Sequence, residues 1–248
     1  MRRRDTLVAL AVLLALWQML SMLLHTRILP SPLDVFVVFF NATISGELPG
    51  HFLASLWRVI ASMVISVMLA APAGLVLGQS RWANKVFSPF IYLLYPIPKV
   101  VLVPVVLLFL GIGDVAKIVI IFLILFFQIL VLVRDQAANL RPELIQSVRS
   151  LGAGRRALFR YVYLPASLPA ILTALRQSVG TAVAVLYIAE LFATQKGLGY
   201  YIYLNGSSLF DYPAMFAGIL AMSLMGVFLY FGIDWLERIF CPWMKQPE

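Results

Sequence analysis

Residues 151–170 read LGAGRRALFRYVYLPASLPA, two glycines and three arginines ahead of a Leu-Pro step in an otherwise strongly apolar chain. Within them, Gly152-Ala153-Gly154-Arg155-Arg156-Ala157 has the G-x-G-x-x-A form of a dinucleotide loop. That reading needs a buried strand before the first glycine and an acid about 20 residues on. The preceding PELIQSVRSL is instead a polar amphipathic helix, and about 20 residues on stands ALRQSVG, without an acid. The glycines therefore serve the backbone, not a nucleotide. The spacing predicts a helical hairpin: Gly152 ends one short helix, Arg155–Tyr161 continues in a second, and Leu164-Pro165 stops it before the next apolar run. Arg149, Arg155, Arg156 and Arg160 interleave with Leu151, Leu158 and Phe159, the pattern of a docking element, with a docking helix expected over Ser147–Leu158.

The surrounding chain decides where such a hairpin sits. Of 248 residues, 62% are hydrophobic and 12% charged, and the mean hydropathy is +0.95. Soluble domains carry roughly twice that share of charge, and one small core cannot hide so much apolar surface. The chain is an integral membrane protein. Its net charge of +8 comes from basic residues gathered between apolar runs, which is a topology signal and excludes nucleic acid as the partner. The single cysteine, Cys241, excludes an internal disulfide or a cysteine metal site, and His25 and His51 stand alone.

Six apolar stretches approach the ~20 residues that cross a bilayer: 6–24, 59–78, 86–110, 116–133, 168–193 and 214–233. Their continuous apolar character argues for helices rather than barrel strands. Arg2, Arg3, Arg4, Arg81, Lys85, Arg238, Lys245 and the arginines of 134–165 fall on one side. Arg27, Arg58 and Lys196 fall on the other, with Lys117 near its edge. By the positive-inside rule both termini and the 134–165 loop are cytoplasmic. Gly74-x-x-x-Gly78 lacks the lysine and spacing of a phosphate loop and reads as close helix packing.

Two spans are irregular. The third holds Pro89, Pro96, Pro98 and Pro104, with Lys99 after the double proline. A break there requires protein or a water-filled cavity around the freed carbonyls. The fifth carries Arg176, Gln177 and Glu190, and ionisable groups in spans face the bundle interior. Lys99, Arg176 and Glu190 are the pathway candidates. The structural alternative for Lys99 is a salt bridge to Glu190 or Asp114. For Arg176 it is a structural pair or a snorkelling end residue, and for Glu190 a packing acid held by backbone or by Lys196. No carboxylate pair, histidine cluster or nucleophile constellation falls at one depth, so an embedded enzyme is not indicated.

Gly152, nine residues, then Val162-Tyr163-Leu164-Pro165 resembles the cytoplasmic signature of permease subunits of bacterial ABC importers: E-A-A, three residues, G, nine residues, I-x-L-P. Here Gln146-Ser147-Val148 stand where Glu-Ala-Ala would. LPSPLDV at 29–35, SLWRVIASMV at 55–64, PIPKVVLVPVVLLFLGIGDVAK at 96–117 and AELFATQKGLGYYI at 189–202 resemble the nitrate/sulfonate/taurine branch. The resemblance implies an all-α, six-helix type I importer permease with a cytoplasmic coupling helix, a homodimer in the bacterial inner membrane. Its partners would be ABC ATPase subunits and a periplasmic or tethered binding protein. The solute would be a small nitrate-, sulfonate- or taurine-like anion or a thiamine-precursor-like compound. Coupling contacts would fall on Gln146, Ser147, Arg149, Gly152, Ala153, Arg155, Leu164 and Pro165. The chain itself would be non-catalytic and bind no cofactor or metal, with ATP and magnesium on the ATPase. The alternative is a gated channel or secondary transporter with Lys99 and Arg176 as selectivity rings.

Overall fold

The computed structural model describes residues 3–24, 26–192 and 194–244, so Arg2, His25, Ala193 and Lys245 lie outside the described residues. In chain order the helices are α1 (Arg3–Leu24), α2 (Pro32–Ile44), α3 (Glu47–Gln79), α4 (Arg81–Leu94), α5 (Val103–Leu110), α6 (Asp114–Ala138), α7 (Pro142–Ser150), α8 (Arg155–Leu158), α9 (Leu164–Leu191), α10 (Leu198–Tyr203) and α11 (Tyr212–Phe240). A 3₁₀ turn over Lys99–Leu102 leads into α5, and π turns follow α8 and α10. Among the described residues, five helices are long and apolar enough to cross a membrane, or six if the bent pair Arg81–Leu94 and Lys99–Leu110 is one span. The residues form two compact units. One is built from the residues up to Leu56 together with Glu190–Met225, the other from Trp57–Ala189 together with the residues from Gly226 on.

The helices overrun the apolar stretches that announced them. The stretch at 59–78 lies in a helix that begins at Glu47, 116–133 in one spanning Asp114–Ala138, and 214–233 in one spanning Tyr212–Phe240. Apolar composition marks only the part inside hydrocarbon, whereas hydrogen bonding carries a helix on into polar flanks. The 134–165 loop is shorter than expected because Arg134–Ala138 still belong to α6. Leu164-Pro165 does not stop the following helix, which runs from Arg156 to Leu191. There the Leu164 amide donates to the Phe159 carbonyl five residues back, a π register that leaves Pro165 in the first turn of α9, where no N–H is needed. The segment Leu29–Gly50, between the first two apolar stretches, contains α2. Ser31 caps it, its Oγ accepting from the Asp34 amide at 3.2 Å and donating to the Asp34 carboxylate at 2.7 Å, with Pro32 in the first turn.

The second unit is organised by one seam. Arg58 on α3 meets Asp114 on α6, its Nε at 2.8 Å and Nη2 at 2.7 Å from the carboxylate. The Ser62 hydroxyl is shared between the Arg58 carbonyl at 2.6 Å and the Ile118 carbonyl at 3.2 Å. That of Ser66 is shared between the carbonyls of Ser62 at 2.7 Å and Phe122 at 3.4 Å. The offset between partners is 56 residues each time, so the two helices run parallel, side by side. The contact continues through buried Ala70 to Gly74 and Gly78. A Cβ on Gly74 would stand 2.9 Å from the Leu130 carbonyl oxygen, and one on Gly78 2.5 Å from that of Arg134. Small residues every fourth position thus let two backbones touch, which is how helices gain contact in a solvent as apolar as themselves.

In the first unit, α1 buries none of its 18-residue apolar stretch. It is tied at its end by the Trp17 indole N–H to the Pro30 carbonyl at 3.1 Å and by the Ser21 hydroxyl to the Leu29 carbonyl at 3.0 Å. Tyr201 on α10 is 3% exposed. Burial, then the Glu47 and Asp211 carboxylates, push its phenol up to about 12, so it packs as the neutral form.

The seam makes a direct expectation. Gly78→Leu forces α3 and α6 apart and costs the ~1–3 kcal/mol of an overpacked core, read as a lower thermal unfolding midpoint in detergent. Gly232→Leu, where nothing lies within 4 Å, leaves the midpoint unchanged.

Candidate functional site

The cytoplasmic-loop candidates fall on two short elements and a turn. Gln146, Ser147 and Arg149 stand exposed on α7. Gly152 turns the chain with φ +81°, its amide donating to the Arg149 carbonyl at 3.0 Å, and Ala153 follows it. The docking helix expected over Ser147–Leu158 is therefore not one helix. It ends at Ser150, because a left-handed residue cannot propagate a right-handed helix, and Arg155 opens α8. Nothing lies within 4 Å of where a Gly152 Cβ would point, so the glycine is needed for its φ and not for packing within the chain. Leu151 beside it is 85% exposed, and Leu164 and Pro165 open α9. The turn presents an apolar tip between Arg149 and Arg156.

Lys99 lies at the break of the third span, where the two helices meet at 75°. Pro98 has no N–H to send to the Leu94 carbonyl four residues back. The Lys99 ammonium replaces it, donating to the carbonyls of Leu94 at 2.9 Å, Tyr95 at 3.0 Å and Ile97 at 3.3 Å. It also stands 4.5 Å from the Phe127 ring centroid. A cation at a helix C-terminus meets the negative end of the helix dipole, and the aromatic face adds attraction. The salt bridge weighed for Lys99 is not what holds it: its acceptors are main-chain carbonyls, and the Asp114 carboxylate is taken by Arg58.

Arg176 and Glu190 belong to different constellations. Arg176 Nη1 donates to Asp234 at 2.7 Å and lies 3.0 Å from Glu237 Oε2 without the alignment of a hydrogen bond. Arg238 shares Asp234 at 2.9 Å, and Thr173 donates to the other Glu237 oxygen at 3.3 Å. This network joins α9 to α11. Glu190 is fully buried. Its carboxylate accepts from the Ser55 hydroxyl at 2.9 Å and from the Gly199 amide at 2.8 Å, and Ser55 Oγ in turn accepts from the Leu198 amide at 2.8 Å. His51 Nδ1 faces the Gly197 amide at 3.0 Å. Gly197 has φ +135°, and any Cβ there would overlap the Glu190 carboxylate. The acid, at the end of α9, therefore fastens the start of α10 to α9 and, through Ser55, to α3. Sequence reading missed Ser55, His51, Asp234 and Glu237 as partners, since each lies more than 50 residues from the residue it serves. Their sole signal was being polar within or beside an apolar run.

Replacing Glu190 by alanine leaves the buried Ser55 hydroxyl and Gly199 amide without this acceptor. That costs about 1–3 kcal/mol for each unsatisfied group. Glu190→Gln, which keeps an acceptor oxygen, loses less. Thermal unfolding of the purified variants in detergent checks the order, and equal midpoints for Glu190→Ala and the parent chain would remove the clasp.

Comparison with known proteins places this geometry. Residues 66–246 match the family model described as binding-protein-dependent transport system inner membrane component. The chain is 32% identical over 219 residues to a probable ABC transporter permease protein of Brucella abortus (strain 2308), covering 88% of this chain and 87% of the relative. It is 31% identical over 248 residues to the taurine transport system permease protein TauC of Escherichia coli (strain K12), covering 96% and 89%. In fold it is similar to the MetNI methionine ABC transporter in an inward-facing conformation, with a TM-score of 0.68 and 20% identity over 80% of this chain and 98% of that one. With a family model covering most of its length and relatives above 30% identity, the chain belongs to the binding-protein-dependent transport system inner-membrane components, as an ABC transporter permease.

Proposed function

We propose that two copies of this chain form the transmembrane pathway of an ABC importer that carries a small solute inward, either a nitrate-, sulfonate- or taurine-like anion or a thiamine-precursor-like compound. The permease is not itself catalytic. ATP and magnesium act on the ATPase subunits, and a periplasmic or tethered binding protein delivers the solute. The taurine permease among the relatives supports the substrate class, and the cation Lys99 within a broken span is compatible with an anion.

The observation that carries the reading is the turn at Gly152. A glycine at φ +81° holds an 85% exposed leucine at the turn between α7 and α8, among arginines of the same loop. Such a tip suits a groove in a soluble partner, with Gln146, Ser147, Arg149, Ala153, Arg155, Leu164 and Pro165 framing it. In the mechanism that follows, ATP binding moves the ATPase groove, α7 and its turn follow, and the pull passes along the helix that begins at Arg156. Transport then needs a rigid link from loop to span. The unbroken run to Leu191 supports this. The positive charge on this loop supports a cytoplasmic location, with both termini on the same side.

Two measurements test this. Gly152→Asn keeps a residue that tolerates left-handed backbone and retains ATPase co-purification and substrate-stimulated hydrolysis, whereas Gly152→Trp lowers both at least ten-fold. Full stimulation in the tryptophan variant would remove the loop from the coupling path. For topology, an impermeant maleimide applied to intact cells labels Ser208→Cys and not Gly154→Cys. The native Cys241 is a silent background, since it is 2% exposed and burial, then the Glu237 carboxylate, push its thiol up from its ordinary value. External labelling of Gly154→Cys would invert the orientation.

A further inference from the structure

A pocket of about 340 Å³ opens beside the break of the third span, lined by Tyr95, Lys99, Ile124, Phe127 and Gln128 among others. At ~30 Å³ per water that is room for a small solute with several waters. Among the described residues no carboxylate lines it. The Lys99 charge is therefore balanced by carbonyl dipoles and ring faces, not by an opposite charge. Dipoles satisfy the three N–H groups yet leave the site with a full positive charge, inside a span where an uncompensated charge is costly. The Gln128 amide adds N–H donors on the neighbouring helix α6. The 14 residues of α4 put the break about 21 Å along the helix from Arg81. That distance separates the pocket from the headgroups on that side, so a phosphate of that leaflet is a poor occupant.

We propose that this pocket is an anion subsite of the transport pathway, with Lys99 supplying the charge and Gln128 the amide donors. The proposal rests on the chain being an importer permease. An arriving oxyanion competes with the carbonyls of Leu94, Tyr95 and Ile97 for the Lys99 ammonium. Each N–H it takes uncaps the end of α4, so the bend of the span responds to occupancy. Lys99 thus does two things in turn: it caps the break when the pocket is empty, and it receives the solute when it fills.

The test is thermal unfolding of the purified permease in detergent, with methanesulfonate or nitrate replacing chloride at constant ionic strength. A ligand that binds only the folded state raises the midpoint saturably. The parent chain is expected to show such a rise with at least one of the two anions, and Lys99→Gln to abolish it. Gln128→Glu keeps Lys99 and its carbonyl bonds but sets a carboxylate in the pocket, and is expected to weaken the half-saturating concentration at least ten-fold. Should Lys99→Gln fail to fold, Gln128→Glu decides alone. No saturable rise in the parent chain, an unchanged half-saturation in Gln128→Glu, or a rise with phosphatidylglycerol but with neither free anion overturns the subsite. Co-purification of the ATPase is scored on the same preparations. Its failure alongside intact anion binding would count against the importer reading alone.

Discussion

Two parallel helices in direct backbone contact constrain the second unit more than any other feature. Lipid offers no hydrophobic drive to bring α3 and α6 together, so their association rests on van der Waals contact and shared hydrogen bonds. Ser62, Ser66, Ala70, Gly74 and Gly78 provide the closeness, and the Ser62 and Ser66 hydroxyls spend their spare reach on the neighbour's carbonyls. Because the helices are parallel, the end of α3 and the start of α6 lie at opposite ends of the seam. The intervening residues 80–113 must then cross the whole thickness once. That single requirement makes α4 and α5 one span, however badly their prolines suit a helix.

The break in that span follows from a conflict between topology and backbone chemistry. Pro96 and Pro98 remove two donors inside a span, where the freed carbonyls need other partners. The chain answers with its own ammonium, which collects three carbonyls and rests on an aromatic face. The other intramembrane charges are settled by different means. Arg176 is neutralised by Asp234 and lies against Glu237, while Glu190 is surrounded by hydroxyl and amide donors. Arginine and glutamate here are closed networks that hold helices and the 194–199 segment in place. Lys99 differs because its ammonium, held by carbonyl dipoles, also borders a pocket with no carboxylate among its described lining residues.

The loop at Gly152 belongs to a second kind of constraint, that of a turn whose apolar tip is exposed. A left-handed glycine, an exposed leucine and flanking arginines are poor choices for a free surface turn and good ones for a surface that is covered in the assembled transporter. The π turn at Phe159–Tyr163 matters for the same reason. By shifting the hydrogen-bond register it absorbs Pro165 without a break, and the element that emerges from the loop is continuous with a membrane span.

Composition, apolar run lengths and charge placement were enough to establish a helical membrane protein, the approximate positions of its spans and the Gly152 signature. All of these are local properties: a span is recognised by what surrounds it in hydrocarbon, and the signature by residue spacing. Gly74 and Gly78 were legible as packing residues on the same ground. Their partner helix was not, because a seam with an offset of 56 residues leaves no periodic trace in either strand of sequence. The helix ends, the continuity through Pro165 and the interruption between Ser150 and Arg155 depended on hydrogen-bond register, which composition does not encode. Lys99, Arg176 and Glu190 were visible as charges in apolar runs, but whether each was paired, capped or clasped depended on groups brought near by folding. Residue type set the cost of burying each charge, and tertiary structure decided which group met it.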